Sequence, residues 1–87
     1  MALMFLNNKS SIQNKKIMPH IAVTILPGRS HAAKQDLAER LRNALIDVLE
    51  VEPKYISVSI EDVEMKDWKK SMERIKDEFM IINPQND

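Results

Sequence analysis

Cysteine is absent from these 87 residues, glycine occurs once, at Gly28, and histidine twice, at His20 and His31. Without a thiol there is no cysteine nucleophile, disulfide framework or thiolate zinc site. A single glycine leaves neither a GxGxxG fingerprint nor a P-loop, since each needs more than one flexible backbone position around a phosphate. The two histidines stand eleven residues apart, so they do not form the HExxH face that binds zinc from one helix. Nucleotide-binding enzymes of those types and ordinary metalloenzymes are set aside.

An excess of either charge is missing too, because 13 lysines and arginines balance 13 aspartates and glutamates. The distribution is uneven. Lys9, Lys15 and Lys16 stand in residues 1–18 without an acid, which leaves the remainder at net −3. Nucleic-acid binders concentrate basic charge on one face, so a polyanion partner is disfavoured. No stretch approaches the roughly 18 consecutive apolar residues of a membrane span. A single soluble, cytoplasmic domain is the expectation, without nucleic acid or membrane as partner.

Residues 1–18 open with a six-residue apolar run and turn polar and lysine-bearing. They have neither an apolar core of normal length nor a small-residue cleavage site, so a signal peptide fits poorly. The stretch reads as a leader, a disordered tail or a start codon placed too early. The last gains weight because Met18 is followed by Pro19 and then by the first well-patterned segment. The body is therefore taken as 19–87.

In that body, Ile21, Val23 and Ile25 alternate with His20, Ala22 and Thr24, the period-two signature of a strand. Pro27 and Gly28 end it. Ser30 is a helix N-cap candidate, and Ala33, Leu37, Leu41, Leu45, Val48 and Leu49 follow at helical spacing. Pro53, with no amide donor, is expected to stop that helix. Ile56, Val58 and Ile60 then alternate with Ser57, Ser59 and Glu61 as a second strand, and Met65, Trp68, Met72, Ile75 and Phe79 predict a second helix over roughly 66–80. Core packing is the expected role of Met72, Ile75 and Phe79.

The fold class is α/β (α+β): a βαβ unit with parallel strands, a long right-handed crossover helix and a C-terminal helix. Two strands and one covering helix bury little apolar area. Self-association into a four-stranded sheet with the helices on one face is the expected remedy.

Three features carry chemistry: Pro19 directly after a methionine at a strand start, Arg29 at a helix N-terminus, and Trp68 beyond the second strand. Pro19 also fits a plain strand start, where its missing N–H is tolerated. Exposed as a chain terminus, however, its nitrogen is a secondary amine with a reference pKa of roughly 7.7–8.0. Desolvation and nearby cations such as Arg29 lower such a value and leave a neutral base. With residues 1–18 attached, the same atom is a peptide nitrogen and no base at all. Arg29 suits a carboxylate or phosphate, reinforced by the free amides of the helix start. His20 and His31 read as surface or half-buried residues.

The run Pro19-His20-Ile21 through Ile25-Leu26-Pro27-Gly28-Arg29-Ser30, with the helix and second strand after it, resembles the 4-oxalocrotonate tautomerase family. His20, Trp68 in Met65-Lys66-Asp67-Trp68, and a helical C-terminal extension are similar to its dimeric bacterial, phenylpyruvate tautomerase-like subgroup. The resemblance implies that Pro19 is the general base, that Arg29, ten residues on, binds the substrate carboxylate, and that Trp68 forms an apolar wall. Other members carry a second arginine 28 residues after the first, where this chain has Ser57. That departure weighs against dicarboxylate substrates.

At roughly 3.3 Å per residue, Pro19 and Arg29 lie more than about 25 Å apart along one extended protomer. Two first strands running antiparallel across a dimer bring Pro19 of one chain to Arg29 of the other, and Trp68 joins the same composite site. The implied activity is a cofactor-independent keto-enol tautomerisation of a small 2-oxo acid or its enol. Ser57, Ser59, Lys54 and His20 are further candidates for placing the substrate. A homo-oligomer is implied, a dimer before a hexamer. The competing readings are a noncatalytic dimerising module and a small anion-binding regulatory domain.

Overall fold

Strand β1, His20–Ile25, pairs in parallel with β2, Ser57–Asp62, in the computed structural model, which describes residues 18–85. The register sets His20 opposite Ser57 and Ile25 opposite Asp62. Backbone bonds extend the ladder at both ends: the Ser57 N–H donates to the Pro19 carbonyl (3.2 Å) and the Val63 N–H to that of Ile25 (2.8 Å). The expected leader, apart from Met18, lies outside the described residues.

Between the strands runs α1, His31–Leu49, and it lies against β2. Its N-cap is Ser30, whose hydroxyl accepts from the Ala33 N–H at 3.1 Å. Its C-terminus departs from the expected stop at Pro53. The helix closes at Glu50, which takes a left-handed conformation (φ 57°) and donates its N–H back to the Ile46 carbonyl at 2.8 Å. Such a turn satisfies a terminal carbonyl and ends the helix by itself. Pro53 instead starts a separate 3-10 turn, Pro53–Tyr55.

The second helix is shorter than its apolar spacing predicts. Helix α2 spans Met65–Met72, and a 3-10 turn follows at Asp77–Phe79. The break has a local cause. The Arg74 side chain donates to the Ser71 carbonyl (2.9 Å) and to its hydroxyl (3.0 Å), while the Ile75 N–H turns to the Met72 carbonyl (3.0 Å). The bonding tightens from i−4 to i−3, and the coil unwinds. The expected stripe is thereby cut. Met72 stays half-buried, whereas Ile75 and Phe79 are exposed, so core packing for that pair is overturned within the protomer.

On the sheet, Ile21, Val23, Ile25, Val58 and Ile60 are half-buried, while His20, Ala22, Ser57, Ser59 and Glu61 on the opposite face are exposed. The row of α1 that is shielded from solvent contains Lys34, Ala38, Leu41 and Leu45, spaced by four, three and four as one helical face requires. Among the described residues only Val51 (2% exposed) and Val63 (8%) are fully buried hydrophobics. Among the same residues no helix is long and apolar enough to cross a membrane.

Candidate functional site

The candidate residues gather at the two opposite ends of the parallel sheet. At the end where both strands begin, Pro19 is half-buried and held by the backbone bond from Ser57. The neighbouring His20 ring lies across the strand pair, with Nδ1 2.7 Å from the Ser57 Oγ and Nε2 3.0 Å from the Ser59 Oγ. A neutral imidazole donates through one nitrogen and accepts through the other, and the two hydroxyls can serve both needs. The parallel register makes this clamp. It sets His20 opposite Ser57 and places Ser59 on the same face two residues further along. Lys54, in the 3-10 turn before β2, pairs with Glu52 at 3.8 Å and lies 5.3 Å from the centre of the Tyr55 ring.

At the other end, beyond the last residues of the strands, an open cleft of about 680 Å³ is lined by Thr24, Ile25, Leu26, Pro27, Arg29, Ala33, Lys34, Leu37 and Trp68. Its position follows from the local chain path. β1 stops at Ile25, Gly28 turns the backbone at φ 126°, and Ser30 starts α1, so Arg29 is presented at the helix entrance. The first turn of α1 carries no acidic residue, which leaves the positive end of the helix dipole without a local counter-charge. Trp68, half-buried in the first half of α2, closes another side of the cleft. The arrangement offers a cation at the mouth of a largely apolar hollow, suited to a small molecule with one anionic end.

Arg29 and Trp68 are thus brought together, and Pro19, His20, Ser57 and Ser59 are brought together; neither Pro19 nor His20 lines the cleft. His31 is the exposed first residue of α1. Sequence reasoning missed Lys34, whose ammonium lines the cleft and donates to the Asp62 carboxylate at 2.8 Å. One signal was available. Lys34 continues the shielded row of Ala38, Leu41 and Leu45, so a charge interrupts a helix face that is otherwise apolar. Among the described residues, no group of three or more histidines and carboxylates is placed to hold a metal ion.

Comparison with known proteins agrees with this architecture. Residues 19–77 match a family model described as "Tautomerase enzyme". A curated protein named "Probable tautomerase" from Xylella fastidiosa (strain 9a5c) is 51% identical over 51 residues, which cover 59% of this chain and 62% of that protein. The chain therefore spans about three-fifths of the length of the curated relative it matches. Among solved structures, it is similar to the crystal structure of TomN, described as a 4-oxalocrotonate tautomerase homologue in the tomaymycin biosynthetic pathway. That likeness has a TM-score of 0.55 and 32% identity, over 57% of this chain and 77% of the other.

Proposed function

This chain belongs to the tautomerase family, and from that premise we propose that it is a cofactor-independent keto-enol tautomerase of a small 2-oxo acid, with Pro19 as base once it is the amino terminus. The observation that carries the reading is the cleft in which Arg29 and Trp68 meet, a carboxylate-sized cation beside an apolar wall. In this mechanism the Arg29 guanidinium pairs with the substrate carboxylate, in the forked geometry that suits it. The same cation stabilises negative charge as the enolate forms. Trp68 excludes water, which favours the uncharged form of an amine nearby.

The Pro19 nitrogen takes the proton of the enol hydroxyl, electron density moves through the carbon framework, and the proton returns to the carbon that becomes saturated. In the reverse direction the same nitrogen removes the proton α to the ketone. Since Pro19 and Arg29 occupy opposite ends of one sheet, the working site combines Arg29 and Trp68 of one protomer with Pro19 of the partner subunit. A two-fold pairing with antiparallel β1 strands makes two such sites at once. His20, tied to Ser57 and Ser59, holds the strand that carries Pro19.

The test is ketonisation of phenylenolpyruvate by a chain that begins at Pro19, followed by loss of the enol absorbance. Pro19→Ala is expected to lower kcat by about 10²–10⁴, the range of a general acid-base group. The full 87-residue chain, in which that nitrogen is acylated, is expected to be comparably impaired. Equal activity of the full and shortened chains would remove Pro19 from the chemistry.

A further inference from the structure

Lys34 and Asp62 form an ion pair on the rim of the Arg29 cleft, and neither residue is part of the proton transfer just described. The Lys34 Nζ donates to the Asp62 Oδ2 at 2.8 Å, with the side chains 25% and 38% exposed. Both stand where the pattern calls for an apolar residue. Lys34 continues the shielded row of α1, and Asp62 continues the alternation of Val58 and Ile60 on the half-buried face of β2. The pair therefore sits at the open end of the layer between helix and sheet, where the half-buried Lys34 ammonium is held by the exposed Asp62 carboxylate.

The charge balance of the cleft follows from this pairing. Of its lining residues, Arg29 and Lys34 are the cations, and Thr24, Ile25, Leu26, Pro27, Ala33, Leu37 and Trp68 are uncharged. Asp62 lines the adjoining hollow and offsets Lys34. One unit of positive charge is left, on Arg29. We infer that Asp62, by occupying Lys34, restricts this cleft to substrates with a single carboxylate, so that the Lys34–Asp62 pair sets the charge specificity of the site. The inference rests on the reading of the cleft as the substrate site.

The physical argument has an attractive and a repulsive part. A second carboxylate entering the cleft finds Lys34 already bonded, so it must displace Asp62 to gain a partner. Until it does, it faces another anion close by. Discrimination between two ligands is often built from such a repulsive element as much as from an attractive one. A displaced Asp62 also loses its charge-assisted bond to Lys34. A substrate with an apolar far end meets neither cost, and Leu37 and Trp68 supply it with a wall.

The experiment compares two substrates of matched size that differ in charge, the para-carboxamide and the para-carboxylate derivatives of phenylenolpyruvate, on the chain that begins at Pro19. The ratio of kcat/KM, doubly over singly charged, is expected to rise by about tenfold in Asp62→Asn, the loss or gain of one charge-assisted hydrogen bond. Lys34→Gln in the Asp62→Asn background is expected to return it. Lys34→Gln alone, reached independently, leaves the Asp62 charge without its partner and lowers the ratio. An unchanged ratio in Asp62→Asn, with both substrates still weakened by Arg29→Ala, overturns the specificity role and leaves the substrate site standing. If Arg29→Ala weakens neither substrate, the cleft is not the substrate site and both conclusions fall.

Discussion

The two ends of the parallel sheet are chemically unlike. Where the strands begin, an imidazole and two serine hydroxyls are tied to one another on an exposed face, beside the half-buried Pro19. Where the strands end, the groups surround a hollow and are mostly apolar, with Arg29 at the helix entrance and Trp68 also in the lining. One end holds the residue proposed as proton acceptor, and the other holds the Arg29 cleft, which Pro19 does not line. A parallel pair cannot fold back to unite them, because both strands point the same way and the crossover helix fills the return path. What one protomer separates by the length of a strand, the proposed two-fold pairing would bring together.

The sharpest way to break this comparison is to damage a different end in each of two proteins. Pro19→Ala and Arg29→Ala proteins are each expected to be nearly inactive, and co-refolding them in equal amounts is expected to restore about a quarter of the normal turnover. Half of the random pairs are mixed, and each mixed pair has one site with both residues intact. If mixing recovers nothing, the two ends do not meet between protomers. A smaller effect is expected from Trp68→Ala, which opens the cleft without touching the other end. Its kcat/KM for phenylenolpyruvate should fall by about tenfold, in line with the apolar area lost, while Trp68→Phe should keep most of it. Steady-state kinetics on the two variants check this. The smallest effect belongs to Ser30→Ala, which removes the bond to the Ala33 N–H and should cost about 1 kcal/mol in denaturant unfolding. Any loss of activity beyond that stability change would show that the cap also fixes Arg29.

Much of the fold was legible because its causes are local. Alternation in Ile21, Val23 and Ile25 and in Val58 and Ile60 fixes the strands, and Ser30 with its bond to the Ala33 N–H fixes the start of α1. The ends of both helices were less legible for a shared reason. Glu50 stops α1 by a left-handed turn that non-glycine residues seldom take, and Arg74 cuts α2 short by a side-chain bond to Ser71. Neither leaves a periodic trace. The pairing of candidate residues was legible only in part. That Trp68 lies at the Arg29 end follows once the strands are parallel. The contacts of His20 with Ser57 and Ser59, and of Lys34 with Asp62, depend on register across 37, 39 and 28 residues of chain, which no local pattern encodes.

The scarcity of interior has a consequence for how the protein exists in a cell. With Val51 and Val63 as the only fully buried hydrophobics among the described residues, a protomer gains little by folding alone. In the proposed dimer, much of the free energy of folding is then free energy of association, and it obeys mass action. Each tenfold rise in protomer concentration makes the paired state about 1.4 kcal/mol more favourable relative to separate unfolded chains. Abundance therefore acts as a structural variable, and a scarce chain would lose its fold and its shared sites in the same step.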